Sequence, residues 1–540
     1  MPDSARIAWQ PWSARTIERA RRDGKPLLLR IDHYGCAAAA EMQRSADLDP
    51  AALAVIEAAF VPVRVDRDEV PELDRLCQLA HQLLTQTPGG WPLHVCFDAD
   101  AGLPFFSATW LPRAPTQGLP GFATLLARVR DFHAGERSTL QQQHAALRAA
   151  LAELSPPALE FTPDASPLRR ARIAIERGFE RTHGGFGNGP KFIRTNLLER
   201  LLRDWRRSAT SAEPDLQALF MVSLTLTRIA ASPMRHASGL FHSHAARIDW
   251  SEPEPLLSAE DNGLLLALYA QLALATGERD FLRITRETAA ALLQTLRLPD
   301  GAFAAHLDGG TAAAAARDER VLIAPNAQVI RGLAWAARVL RDPALADAAL
   351  EAIGAIGARH FRDGALRRAD GRCADLDAHA ALADAVLEAL QQRWHAPTAD
   401  LQRALLVALR THFEDPVLGG FHAAADDAEP APFQRLKIFA DEATPAGNAL
   451  AARVLLRAGA LTEDRAAIEA ARRSLALAWP AIQQQPQAHA TLLGVLEETL
   501  SPPEVLVLRG AGDEIETARS DLQKVYAPTR LVFAIPEAAD

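Results

Sequence analysis

Gly184-Gly185-Phe186 is the first of five turns of one kind, followed by Gly239-Leu240-Phe241, Gly301-Ala302-Phe303, Gly364-Ala365-Leu366 and Gly419-Gly420-Phe421. Their third residues lie 55, 62, 63 and 55 positions apart. Between the turns the chain is alanine-rich and helical in pattern, from about residue 166 to 500. A period near 60 holds two helices of ordinary length plus their loops, so each repeat reads as a helical hairpin. About six fit the segment. Six hairpins close into a ring, an (α/α)6 toroid with a funnel between its inner helices; an open superhelix satisfies the same period. The ring is the expectation adopted.

Upstream the pattern changes. Pro26-Leu27-Leu28-Leu29-Arg30-Ile31 and Phe60-Val61-Pro62-Val63-Arg64-Val65 are short apolar runs of the kind found in strands buried on both faces. They alternate with helical stretches over 12–23, 36–60 and 71–84, and a strand pair flanks the turn at 98–102. Residues 1–135 therefore read as an α/β domain. A helix and linker occupy 136–165, broken at Ser155-Pro156-Pro157. The toroid spans 166–500. The tail, 501–540, reads as a small βαβ unit. Its Gly510-Ala511-Gly512 is too short a glycine pattern to bind a nucleotide.

Composition excludes several classes. With 58 basic against 67 acidic residues the net charge is −9, and no basic stripe offers itself to nucleic acid. Only four of the basic residues are lysines, at 25, 191, 437 and 524. No run of eighteen apolar residues suggests a membrane span, and the first residues lack a signal-peptide core. Four cysteines in 540 residues point away from a disulfide scaffold and towards a reducing cytoplasm. No histidine or cysteine cluster has metal-ligand spacing, so neither a metal nor a cofactor is expected.

Certain segments, taken in order, resemble one family. They are 12–26, Val65-Asp66-Arg67-Asp68-Glu69-Val70-Pro71-Glu72-Leu73-Asp74, Gly89-Gly90-Trp91-Pro92-Leu93, Gly184 to Phe192, and Ala443-Thr444-Pro445-Ala446-Gly447-Asn448. The chain resembles the spermatogenesis-associated thioredoxin-like proteins, as a divergent bacterial member. The resemblance implies an N-terminal thioredoxin-like domain fused to a toroid of glycosidase and sugar-epimerase type. It also implies a Cys-x-x-Cys motif at the domain's first helix, which here reads Gly35-Cys36-Ala37-Ala38-Ala39-Ala40. With alanine at 39 no resolving thiol is at hand, so dithiol exchange is not expected. Cys36 at a helix start has a place where a thiol pKa falls, which leaves a one-cysteine reaction open. Trp91-Pro92 resembles the family's cis-proline ledge, a surface able to dock an extended chain.

The toroid departs from the family too. Of its polar site only Asp261 and Asn262 persist in Leu256-Leu257-Ser258-Ala259-Glu260-Asp261-Asn262. Ala324-Pro325-Asn326 and Leu376-Asp377-Ala378-His379 replace two further motifs, while Lys191, Asp441, Thr444 and Asn448 match. Sugar hydrolysis needs two carboxyls, and epimerisation needs a proton donor and acceptor. Asp261 and Asp377 are the expected carboxyl pair, with His242, His379 and His422 as proton shuttles. Lys191, Asn262, Asn326, Asp441, Thr444 and Asn448 are the expected ligand contacts. Two readings stand: a toroid that binds or processes a saccharide-like ligand, by isomerisation or hydrolysis, and a non-catalytic relative whose thioredoxin-like domain docks a protein.

Overall fold

The structure is a computed structural model and describes residues 7–116, 118–153, 161–310 and 316–537. The chain divides into two compact units, residues 1–156 with 426–436, and residues 157–425 with 437–540.

The first unit runs β1 (Gln10–Pro11), α1 (Ala14–Asp23), β2 (Leu27–Asp32), α2 (Ala37–Ser45), α3 (Pro50–Ala59), β3 (Val61–Asp66) and α4 (Pro71–Thr85). It continues through β4 (Leu93–Asp98), β5 (Leu103–Ala108), α5 (Phe122–Gly135) and α6 (Arg137–Glu153). The strands order as β1-β3-β2-β4-β5. β1 and β2 lie parallel to β3, whereas β4 and β5 are antiparallel. This is a thioredoxin-like sheet. Both faces are covered, which is why β2 and β4 are buried along their whole length rather than alternating. Leu28 and Cys96 join one core, Leu29, Val95 and Phe97 the other. The helix expected around 138–154 is α6, and it packs on β5 within this unit. Mid-strand Arg30 is buried; it pairs with Asp32 at 3.1 Å and with Asp47, and donates to the Ala39 carbonyl at 2.7 Å. A buried guanidinium thus ties α2 to the sheet.

The second unit holds α7 (Ser166–Arg177), α8 (Thr195–Ser208), α9 (Leu216–Ala230), α10 (Ala259–Thr276), α11 (Arg279–Thr295) and α12 (Ile323–Leu340). After these come α13 (Pro343–His360), α14 (Leu376–Leu390), α15 (Ala396–Ala408), α16 (Gly447–Thr462), α17 (Arg465–Gln484) and α18 (Ala490–Leu500). The even-numbered helices pack in sequence, α8 on α10, then α12, α14, α16 and α18, and α18 returns to α8. The ring is closed. Each inner helix pairs with the outer helix that follows it, except α18, whose partner is α7 from the other end of the segment. The inner helices are apolar nearly all round, as enclosed helices must be. At Gly263 a Cβ would lie 2.5 Å from the backbone of Gln328 and Val329, so α10 and α12 meet backbone to backbone. The Gly-x-Phe turns follow the outer helices and lead into the inner ones; Gly239 and Gly301, with φ of 93° and 95°, make these turns.

Charge inside the ring is paired from helix to helix. Arg331 donates to Glu199 at 2.8 Å and sits 3.6 Å from Asp384, which Arg453 grips at 2.6 and 2.9 Å. Arg457 joins Glu388 to Glu498, and Arg203 joins Glu498 to Glu497 at 2.9 Å each. Arg200 completes the set on Glu497 at 2.8 Å. The tail, parallel strands Glu504–Gly510 and Arg530–Pro536 around α19 (Gly512–Leu522), packs on the C-terminal ends of the inner helices. Tyr526 donates to Gln271 at 3.2 Å, Val532 to Gln391 at 3.4 Å and Arg457 to the Pro528 carbonyl at 2.9 Å.

Burial would push Glu199 and Glu497 up, but the arginines around them win and hold both at about 2, against an ordinary 4.5. A carboxyl depressed on folding contributes stability above its unfolded pKa and loses it as pH falls through the folded value. The thermal unfolding midpoint should therefore be level above about pH 5 and drop between about pH 4.5 and 2. A midpoint unchanged down to pH 3 would contradict the pairing.

Candidate functional site

Several expected ligand contacts have their polar atoms occupied by backbone. Asn262 Oδ1 accepts from the Phe241 N–H at 2.7 Å, and its Nδ2 donates to the carbonyls of Phe241 and Ser258 at 2.9 Å. Asn326 repeats this on Phe303 and Leu322, and Asn448 on Phe421. In the intervening repeat His379 takes the position: Leu366 N–H donates to its Nε2 at 2.9 Å, and Nδ1 faces the Asp375 carbonyl at 2.9 Å. Those partners fix the proton on Nδ1. Burial holds this imidazole down at about 4, so it is neutral at physiological pH. These four side chains latch four of the five turns to the first turn of the inner helix that follows.

Lys191 is fully buried and donates to the Gly184 and Gly187 carbonyls at 2.9 and 3.3 Å. Lys437, which the sequence reading passed over, does the same at the last turn, with Gly419 at 2.8 Å and Asp415 at 2.7 Å. Asp441 caps two helix starts at once, accepting from Ala446 at 3.0 Å and Thr491 at 2.8 Å. The Thr444 carbonyl accepts from Glu442. Asp377 lies at the start of α14 against Gly447, where a Cβ would come within 2.0 Å of its Oδ1. Asp261 stands on α10 and Asp377 on α14, with α12 packed between the two helices in the ring. His422 lies 3.8 Å from Asp415, and His242 is buried edge-on to His236.

Asp261 differs from the others. It opens α10 beside the hydroxyls of Ser243 and Ser258 and the imidazoles of His306 and His244, and burial pushes its carboxyl up. His244 is stacked on Phe192, centroids 4.8 Å apart and planes 14° apart. Phe192 is 45% exposed, and the Arg194 guanidinium lies 5.9 Å from its ring. The antiparallel pairing of Lys191-Phe192 with His244-Ala245 holds the two rings in register. An exposed aromatic, two histidines and a carboxyl whose pKa burial raises thus share one end of the ring. The sequence held a trace of this: His244 and His306 each follow the phenylalanine of a turn by three positions.

Deeper in the bore, Asn196, Glu199, Gln328, Arg331 and Arg453 line a void of about 20 Å3. That admits about one water and no sugar.

In the first unit Cys36 caps α2 without a side-chain hydrogen bond, and burial raises its thiol pKa, the opposite of the expected activation. Cys77 and Cys96 are buried and their thiols raised further. Trp91-Pro92 is a cis peptide. The Trp91 ring is held by Asp74, which accepts from Nε1 at 3.1 Å, by Arg67 over its face at 4.3 Å and by His33 edge-on at 5.5 Å.

Fold and site together define a protein with a thioredoxin-like domain that lacks the dithiol and a closed (α/α)6 toroid. Residues 3–152 match the family Thioredox_DsbH, described as a protein of unknown function, DUF255. The chain is similar to human spermatogenesis-associated protein 20, 26% identical over 304 residues, 55% of this chain and 38% of that one. An uncharacterized Caenorhabditis elegans protein, B0495.5, is 24% identical over 56% of this chain and 41% of its own length. The chain thus spans about two fifths of these relatives. Among solved structures a D-mannose isomerase aligns with a TM-score of 0.49 at 10% identity, covering 62% of this chain and 96% of its own. The cellobiose 2-epimerase of Spirochaeta thermophila aligns at 0.44 and 14%, covering 59% and 86%. No helix among the described residues is long and apolar enough to cross a membrane.

Two outcomes check these assignments. Asn326→Ala should lower the unfolding midpoint clearly, because it strands the buried Phe303 N–H and carbonyl, each costing about 1–3 kcal/mol. Cys36 should alkylate at pH 7 more slowly than free cysteine, timed with a thiol reagent; faster labelling would refute the raised pKa.

Proposed function

We propose that the toroid binds a saccharide-like ligand at the end where Phe192 is exposed, and that Asp261 moves a proton to or from it. The supporting observation is the Phe192–His244 stack beside a carboxyl whose pKa is raised. A flat exposed ring suits the C–H face of a sugar, while the serines, histidines and carboxyl suit its hydroxyls. Isomerisation beside a carbonyl needs a proton acceptor and a proton donor, groups that a carboxyl flanked by imidazoles supplies. The reading favours isomerisation over hydrolysis, because the groups gathered around Asp261 are imidazoles and hydroxyls rather than a second carboxyl. For the thioredoxin-like domain we propose a non-redox docking role, supported by a protonated Cys36 beside a braced Trp91-Pro92 ledge.

Titration with mono- and disaccharides at millimolar concentration tests the toroid. Phe192→Ala should weaken binding by the worth of a stacking contact, about 0.5–1.5 kcal/mol, with the unfolding midpoint unchanged. Asp261→Asn should retain binding and lose turnover by about 10²–10⁴-fold. Saccharide binding that is indifferent to both substitutions would overturn the proposal.

A further inference from the structure

At the opposite end of the ring a cavity of about 570 Å3 opens between the α12–α13 turn, the α14–α15 turn and α19. It lies within the range of small-molecule sites, about 300–1,000 Å3. Four arginines line it from three elements: Arg338 near the end of α12, Arg341 at that helix's C-cap, Arg393 after α14, and Arg519 on α19. The nearby acids are all engaged, two of them by arginines of this set. Glu516 is paired with Arg519 at 2.8 Å, Asp521 with Lys524 at 2.5 Å and Asp347 with Arg393, while Asp342 caps Ala344 at 3.0 Å.

Two buried donors at the cavity wall are left unmet. Arg338 is 7% exposed at its side chain, reaches Glu388 and Gln391 only at 3.4 Å, and leaves its buried Nε without a hydrogen-bond partner. Gln392, 4% exposed, lines the same cavity with its buried Nε2 also unpartnered. Buried donors ordinarily find acceptors. Burial and the neighbouring Arg519 and Arg457 hold the Arg338 guanidinium down at about 10 despite Glu388, a sign of positive charge short of counter-charge. Arg341 makes no salt bridge within 4 Å among the described residues, and its charge acts on Asp521 of the same cavity. It stands in the left-handed region, φ 52°, at a helix end where glycine would be unstrained.

We propose that this cavity is a binding site for a phosphate group carried by a small molecule, with Arg341 and Arg338 as its cationic walls and Gln392 as a neutral donor. Bidentate guanidinium contacts and unpaired donors are the chemistry that selects a multiply charged oxyanion over chloride. The site is separate from the Phe192 end of the ring and does not depend on the reading given to it.

Calorimetric titration of the full chain with inorganic phosphate and with glucose 6-phosphate, at matched ionic strength and with glucose as the uncharged control, tests the proposal. Saturable binding of a phosphate species, with none of glucose at this cavity, is expected. Arg341→Gly should weaken it at least tenfold while raising the unfolding midpoint of the unliganded protein, since the left-handed strain is relieved as the cation is lost. The rise in midpoint shows that the variant is folded. Tighter binding of the ester than of inorganic phosphate would identify a phosphorylated metabolite as the ligand; equal binding would identify free phosphate. Absence of saturable binding, or an affinity unchanged in Arg341→Gly, would overturn the site.

Discussion

A charge taken out of water must find a partner, and in this toroid the partners lie on neighbouring helices. Arg203 stands on the first inner helix and Glu497 and Glu498 on the last, so the same contacts that neutralise these groups also close the ring. Arg457 and Arg453 carry the pairing on to Glu388 and Asp384 of α14. Ridge-and-groove packing of alanine and leucine faces would let helices slide; a guanidinium held by two carboxylates from two helices sets their register. Removing one member would leave the other buried and unpaired, which is far more costly than never having built the pair.

That constraint also decides where chemistry can occur. Glu199 faces the bore but is held ionised by Arg331, and the void beside it takes little more than a water. The latching side chains at the turns are occupied by backbone. What is left with freedom to titrate at the mouth is Asp261, raised by burial rather than lowered by an arginine, with imidazoles and an exposed phenylalanine beside it. The bore serves as a brace, and the proposed site lies at its rim.

The hairpin period and the apolar runs of β2 and β3 were legible in the sequence because they follow from geometry alone. Ring closure was not, since it depends on which helix end meets which; α7 pairs with α18 across more than three hundred residues. The asparagines were visible as polar residues at helix starts, but a ligand contact and a latch look alike until the turn some twenty residues upstream is placed against them. Lys437 was hidden for a similar reason: its partner motif, Asp415 to Phe421, echoes Glu180 to Phe186 only once both turns are seen folded. Phe192 and His244 each looked ordinary, and their value comes from a two-residue strand pairing that no local pattern announces.

The most direct measurement is a crystal structure of the protein soaked in a concentrated mixture of simple sugars. Density for a ring lying on Phe192 with a hydroxyl within hydrogen-bonding distance of the Asp261 carboxyl is the predicted result. A sugar found among Glu199, Gln328 and Arg331 in the bore, with the arginine pairs opened to admit it, would contradict the assignment of the rim as the working surface.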